Sequence, residues 1–127
     1  MNQTENKKLG FGCMRLPVLE AGKPDSFDYE EIKKLFDAFL EQGFTYFDTA
    51  YTYHGYEGEK AIKKALVDRH PRASFQLATK LPLRDFKDAD DMERIFCEQL
   101  ANCGVTYFDY YLLHNMGHIL LRLYPVA

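Results

Sequence analysis

The strongest constraint on the fold is an alternation of short apolar runs with amphipathic helical segments along the whole chain. Lys8 to Pro17 is short, apolar and glycine-punctuated, and is expected as a buried strand running into a loop. Glu20 to Ser26 continues as loop, with Gly22 and Pro24. Asp28 stands where a helix cap is needed, and Glu31 three residues on would complete a capping box. Ile32, Leu35, Phe36, Phe39 and Leu40 then fall on one helical face, and Gly43 is a natural stop. Phe44 to Ala50 is nearly continuous in apolar and aromatic residues, the pattern of a strand covered on both faces. A second helix is expected over Gly58 to Asp68, with Ala61, Ile62, Ala65 and Leu66 inward and Pro71 ending the stretch. Phe75 to Lys80 is the third strand, closed by Pro82. A third helix spans Asp90 to Cys103, with Met92, Ile95, Phe96, Leu100 and Cys103 on one stripe. Gly104 stops it, and Val105 to His114 is the fourth strand.

The order β-α-β-α-β-α-β implies parallel strands with helical crossovers. Gly43-Phe44-Thr45-Tyr46-Phe47-Asp48 recurs as Gly104-Val105-Thr106-Tyr107-Phe108-Asp109, each copy following a helix and opening a strand. Two architectures share this alternation, an open doubly wound sheet and a (β/α)8 barrel. A dinucleotide-binding doubly wound sheet wants a glycine-rich turn that opens a helix directly after the first strand. Gly10-Phe11-Gly12 lacks the third glycine, and a long loop separates it from the first helix. The barrel is therefore preferred, and a barrel places its chemistry at the C-terminal ends of its strands.

Composition narrows the function classes. The chain has 127 residues, 46% of them hydrophobic, enough for one domain with a packed core. A net charge of −3 argues against a nucleic-acid footprint, which is normally basic. No window is long and apolar enough to cross a bilayer. Met1 to Lys8 is polar and lacks the apolar stretch of a secretory signal, so a cytoplasmic location is expected. The three cysteines, Cys13, Cys97 and Cys103, are odd in number and irregular in spacing; buried free thiols are expected rather than a disulfide framework.

Polar residues come after the apolar runs at successive strand ends: Asp48, then Tyr53 just beyond it, then Lys80, then His114. Singly, each has an ordinary reading, as a turn residue, one of nine tyrosines, a solvated lysine or a satisfied core histidine. Together they form a set suited to proton transfer. A free phenol is a poor acid and a poor base at neutral pH, and a neighbouring ammonium favours its ionised form. A carboxylate paired to that ammonium would hold it in place and charged, and an imidazole could orient a carbonyl oxygen. His114 and His118 are four apart, but no third ligand accompanies them, so no metal site is expected. The Lys60, Lys63, Lys64 run is expected to be a solvated helix face.

These motifs resemble the aldo-keto reductase family. Asp48-Thr49-Ala50-Tyr51-Thr52-Tyr53 is similar to the family signature, Leu77-Ala78-Thr79-Lys80 to its strand-three lysine motif, and Asp109-Tyr110-Tyr111-Leu112-Leu113-His114 to its strand-four histidine motif. The resemblance implies an NAD(P)H-dependent oxidoreductase that reduces a small-molecule carbonyl, aldehyde or ketone, to an alcohol. It implies Tyr53 as general acid, Lys80 and Asp48 as its tuners, and His114 as the group that orients the carbonyl. Gly10 to Pro17 and Tyr110 to Met116 are similar to a bacterial branch whose members often carry a C-terminal iron–sulfur extension; the cysteines for it are absent here, and the cluster is not carried over. By the same resemblance Gly12, Cys13, Met14, Arg15 and Asp48 would lie near the nicotinamide end of NADP or NAD.

A full barrel of this type takes about 250 residues. Residues 1–116 are therefore expected to be the N-terminal half of an aldo-keto reductase barrel, truncated to about four βα units, with 117–127 as a tail outside the family pattern. The loops that would grip the cofactor phosphates lie in the other half, so weak or absent cofactor binding by the isolated chain is expected. A half-barrel has open sheet edges that invite pairing. The alternatives to an active reductase are thus an inactive fragment that self-associates and a dimer of half-barrels that rebuilds one barrel.

Overall fold

The computed structural model describes residues 7–116. Four strands, β1 (Gly10–Gly12), β2 (Tyr46–Asp48), β3 (Gln76–Pro82) and β4 (Tyr110–His114), form one sheet in the order β1-β2-β3-β4. Every neighbouring pair is parallel. Chain order and spatial order coincide, so the sheet has no reversal point. That is the winding of a barrel's successive βα units and not of a doubly wound sheet. The sequence predicts the barrel type, and the parallel sheet agrees with it.

The first crossover helix, α1 (Tyr29–Glu41), begins as expected: the Asp28 carboxylate accepts from the Glu31 backbone N–H. Only half of the capping box forms, because the Asp28 N–H is already given to the Pro17 carbonyl. Ile32, Phe36 and Phe39 are the buried positions of α1. Leu35, expected inward, lies at the margin of that stripe and is exposed. Phe36 and Phe39 pack edge-on against Phe47 of β2, at 5.0 and 5.1 Å between ring centroids, with Phe11 and Phe75 around them. This aromatic cluster is the centre of the core between sheet and helices.

After β2 comes α2 (Tyr53–Tyr56), a single tight turn that the sequence does not suggest, and then α3 (Gly58–Ile62). A π-helical turn over Lys63–Val67 extends α3. Ala61, Ile62, Ala65 and Leu66 all face inward, as the periodicity requires. The long crossover helix α4 (Ala89–Cys103) is capped by Asp88 and ends at Gly104, which adopts φ +68°, a left-handed conformation natural to glycine. Its buried line is Ile95, Gln99 and Cys103; the apolar stripe omits Gln99, and Met92, expected inward, is exposed.

Several strand boundaries differ from expectation. β1 is not the buried strand its sequence suggests: Gly10 and Gly12 are exposed, because β1 has only one strand neighbour among the described residues. β2 and β4 begin later than Phe44 and Val105. β3 runs through Pro82 rather than stopping before it, and Pro82 pairs with His114. The proline is tolerated there because alternate residues of a strand point their backbone groups to the same side. Ala78 bonds toward β2, so Pro82 also faces β2, whose ladder has already ended at Asp48. Cys97 is exposed on α4, contrary to the expectation of three buried thiols, while Cys13 and Cys103 are buried. No helix among the described residues is long and apolar enough to cross a membrane. The 117–127 tail, with His118, lies outside the described residues.

Candidate active site

The parallel register sets the site. Asp48 ends β2 opposite Ala78, and Lys80 sits two residues further along β3, beyond the end of the β2 ladder. The Lys80 Nζ donates to both Asp48 carboxylate oxygens at 3.0 Å, to the Thr49 carbonyl at 2.7 Å and to the Tyr53 hydroxyl oxygen at 3.1 Å. An ammonium has three hydrogens, and these three partners use all of them. The Lys80 side chain keeps only 13% of its accessible surface, so it sits in a far less screened setting than a surface lysine. Because the ammonium donates to Tyr53, the phenol oxygen accepts, and the phenol hydrogen is left free to point elsewhere.

His114 ends β4 and stands edge-on to Tyr53, with ring centroids 5.8 Å apart and planes at 90°. Burial, reinforced by the Lys80 charge, pulls the His114 imidazole below its ordinary range, so it is neutral at pH 7. The structure thus brings together Asp48, Tyr53, Lys80 and His114. A cleft of about 430 Å³ opens beside them, lined by Met14, Thr52, Tyr53, His54, His114 and Asn115. A smaller cavity of about 220 Å³ shares Thr52, His114 and Asn115 with it and extends toward Arg84 and Asp85.

The other predicted residues are placed unequally. Gly12 is exposed, in register with Asp48, and the space a Cβ would occupy there is open. Met14 is exposed and lines the cleft. Arg15 is exposed. Cys13 turns inward: its side chain is fully buried in the core, its N–H donates to the Asp48 carbonyl, and burial pushes its thiol up. Cys13 therefore offers the site its backbone and not its sulfur.

Two neighbours that sequence reasoning passes over hold Tyr53. His54 has φ 54° and ψ 45°, a left-handed conformation that costs a non-glycine residue on the order of 1–3 kcal/mol. Its ring offsets this by tying two chain segments: Nε2 accepts from the Leu16 N–H at 3.0 Å, which leaves the hydrogen on Nδ1 to donate to the Pro24 carbonyl at 2.7 Å. Gly58 admits the Tyr53 backbone closely, since a Cβ there would meet the Tyr53 carbonyl oxygen at 3.0 Å.

A buried polar network lies across β3 from the ammonium. Glu59 of α3 is fully buried and accepts from Thr79 Oγ1 at 2.8 Å, Gln99 Nε2 at 3.2 Å and Asn102 Nδ2 at 3.3 Å. Gln99 also donates to the Lys80 carbonyl at 2.8 Å, and its own oxygen accepts from the Tyr111 hydroxyl at 2.5 Å. A signal is present in the sequence: Glu59 lies three residues before Ile62 and seven before Leu66, on the inward face. Among the described residues no cation offsets its charge, and burial outweighs the three donated bonds to push its carboxyl up to about 7. A carboxyl raised on folding stabilises the protein while protonated. That contribution is full below the ordinary value near 4.5 and is lost as pH climbs through about 7. At about 1.4 kcal/mol per pH unit, the loss is roughly 3 kcal/mol. Urea unfolding of the wild type should therefore show stability falling across that window, and Glu59→Gln should flatten the fall; an unchanged slope in the variant would disprove the assignment.

The model of the aldo/keto reductase family matches residues 8–120. The chain is similar to probable aldo-keto reductase 1 of Glycine max, 32% identical over 120 residues, which are 88% of this chain and 34% of that protein. It is similar to the solved structure of an aldo-keto reductase from Bacillus halodurans in its holo form, with TM-score 0.63 and 28% identity over 83% of this chain and 35% of that one. It shares its fold with an aldo-keto reductase from Klebsiella pneumoniae solved with NADPH, with TM-score 0.64 and 24% identity over 83% of this chain and 34% of that one. The chain spans about a third of the length of each of these relatives. With a parallel βα sheet wound in barrel order and a family match over most of its length, this chain belongs to the aldo/keto reductase family.

Proposed function

We propose that the chain supplies the proton-donating half of an NAD(P)H-dependent carbonyl reductase site. The observation that carries this reading is the three-way bonding of the Lys80 ammonium to Asp48, Thr49 and Tyr53. The site fits a nicotinamide on one point of structure: the space that a Cβ on Gly12 would occupy, on the strand position paired with Asp48, is open. Gly12, Met14, Arg15 and the backbone of Cys13, with Asp48, would hold that end of NADP or NAD. When bound, the nicotinamide supplies hydride to the carbonyl carbon.

This chain's own residues manage the oxygen. A carbonyl in the cleft would receive the free hydrogen of the Tyr53 hydroxyl. The negative charge left on the phenol oxygen is met by the ammonium 3.1 Å away, and Asp48 keeps that ammonium in line. A neutral His114 can donate to the carbonyl oxygen and fix its direction. The substrate class is a small aldehyde or ketone. With purified chain, NADPH in large excess to offset the weak cofactor binding expected of it, and a generic aldehyde, loss of NADPH absorbance is the expected signal. Tyr53→Phe should lower the rate by about 10²–10⁴-fold, the usual worth of a positioned proton donor. Equal rates in the two proteins would end the proposal.

The exposure of β4 favours a second property. Tyr110, Leu112 and Leu113 of this strand keep 42–51% of their surface accessible, a contiguous apolar edge among the described residues. The chain is proposed to self-associate through it. Sedimentation at rising concentration should show species above the monomer mass, and Leu113→Lys should shift the population toward monomer; a monomer at all concentrations would refute this.

A further inference from the structure

The Lys80 carbonyl occupies an unusual position. Ala78 gives its carbonyl to the Thr49 N–H, the last bond joining β3 to β2. Two residues on, the Lys80 carbonyl points to the same side, beyond the end of β2, where no strand N–H remains to meet it. Gln99 fills the vacancy from α4, with its amide 2.8 Å from that oxygen. The same amide is fixed by Glu59 and Thr79, and its oxygen by Tyr111. The elements α3, β3, α4 and β4 therefore meet at one side chain that grips the backbone of the residue carrying the ammonium.

We propose that Glu59 and Gln99 are positioning residues, which hold the Lys80 backbone through the Gln99 amide so that the charge state of Glu59 is transmitted to the ammonium. The inference rests on the reading that the Lys80 ammonium serves Tyr53. With Glu59 ionised, its carboxylate accepts from the Gln99 amide and orients it toward the Lys80 carbonyl. With Glu59 protonated, the pull on that amide weakens, and the grip on Lys80 relaxes. The other titratable groups facing Glu59 are Cys103 on α4 and Tyr111 on β4. Burial pushes both up, Tyr111 to about 12, so neither changes charge near neutrality. Thr79, Gln99 and Asn102, the remaining partners, do not titrate.

The test is a ¹³Cε-lysine NMR titration of the full chain, with Lys80 assigned by the signal missing in Lys80→Arg. Apart from the lower step owed to the His114 imidazole coupled to this ammonium, which His114→Phe removes, the wild-type Lys80 resonance is expected to move in a step centred where Glu59 titrates, at about pH 7. Glu59→Gln should abolish that step. Gln99→Met, close in volume, should also abolish it while Glu59 still titrates by ¹³C-carboxyl NMR, which separates transmission from mere loss of the charge. Should Glu59→Gln fail to fold, Gln99→Met carries the test alone. The same Lys80 step persisting in folded Gln99→Met would overturn the inference, as would its absence in the wild type. No cofactor or turnover enters the measurement, so failure of the relay and failure of the reductase reading are told apart.

Discussion

One ammonium organises this site, and its place is set by a parallel register. Because β2 and β3 run in the same direction with Asp48 opposite Ala78, Lys80 overshoots the end of β2 by two residues. Its side chain then reaches back over the strand end to the Asp48 carboxylate, while the chain leaving β2 turns to bring up Tyr53. A buried cation is costly unless paired and bonded. Here the carboxylate supplies the charge and the Thr49 carbonyl and Tyr53 oxygen supply the remaining acceptors.

Support for that geometry comes from two groups of residues. In the first, His54 and Gly58 fix the turn that carries Tyr53: one bridges to the Leu16 and Pro24 backbone, the other permits close approach. In the second, Glu59, Thr79, Gln99 and Tyr111 link α3, α4 and β4 to the backbone of β3. Beneath both, the aromatic cluster around Phe47 ties β2 to α1 and so keeps Asp48 from shifting along the strand direction. The polar network is satisfied in its hydrogen bonds yet carries an uncompensated charge, so its contribution to stability depends on pH.

Periodicity and capping are the features that can be read directly from the sequence. The alternation of elements, the inward residues of α3, the Asp28 cap and the glycine stop at Gly104 all depend on local chemistry, and all are legible in it. The four polar strand-end residues are legible as a set because each comes after an apolar run. The illegible features depend on partners distant in the chain. Gln99 looks like a surface residue until Glu59 and the Lys80 carbonyl meet it. Leu35 and Met92 satisfy a helical stripe but lie at its margin, where neighbours cover them only in part. The repeated Gly-to-Asp segment also misleads in part: Asp48 ends β2 at the site, whereas Asp109 precedes β4 and binds Arg72 and the Leu77 N–H. Similar local chemistry thus opens two strands but serves the site in only one.

The central claim is that Tyr53 and Lys80 act as one proton-donating unit. A double-mutant cycle on NADPH-dependent aldehyde reduction tests it most directly, comparing Tyr53→Phe, Lys80→Met and the combined variant. Groups that act as a unit give strongly non-additive losses. The account predicts that the combined variant is no slower than the slower single variant. Losses that multiply, or no turnover by the wild type, would contradict it.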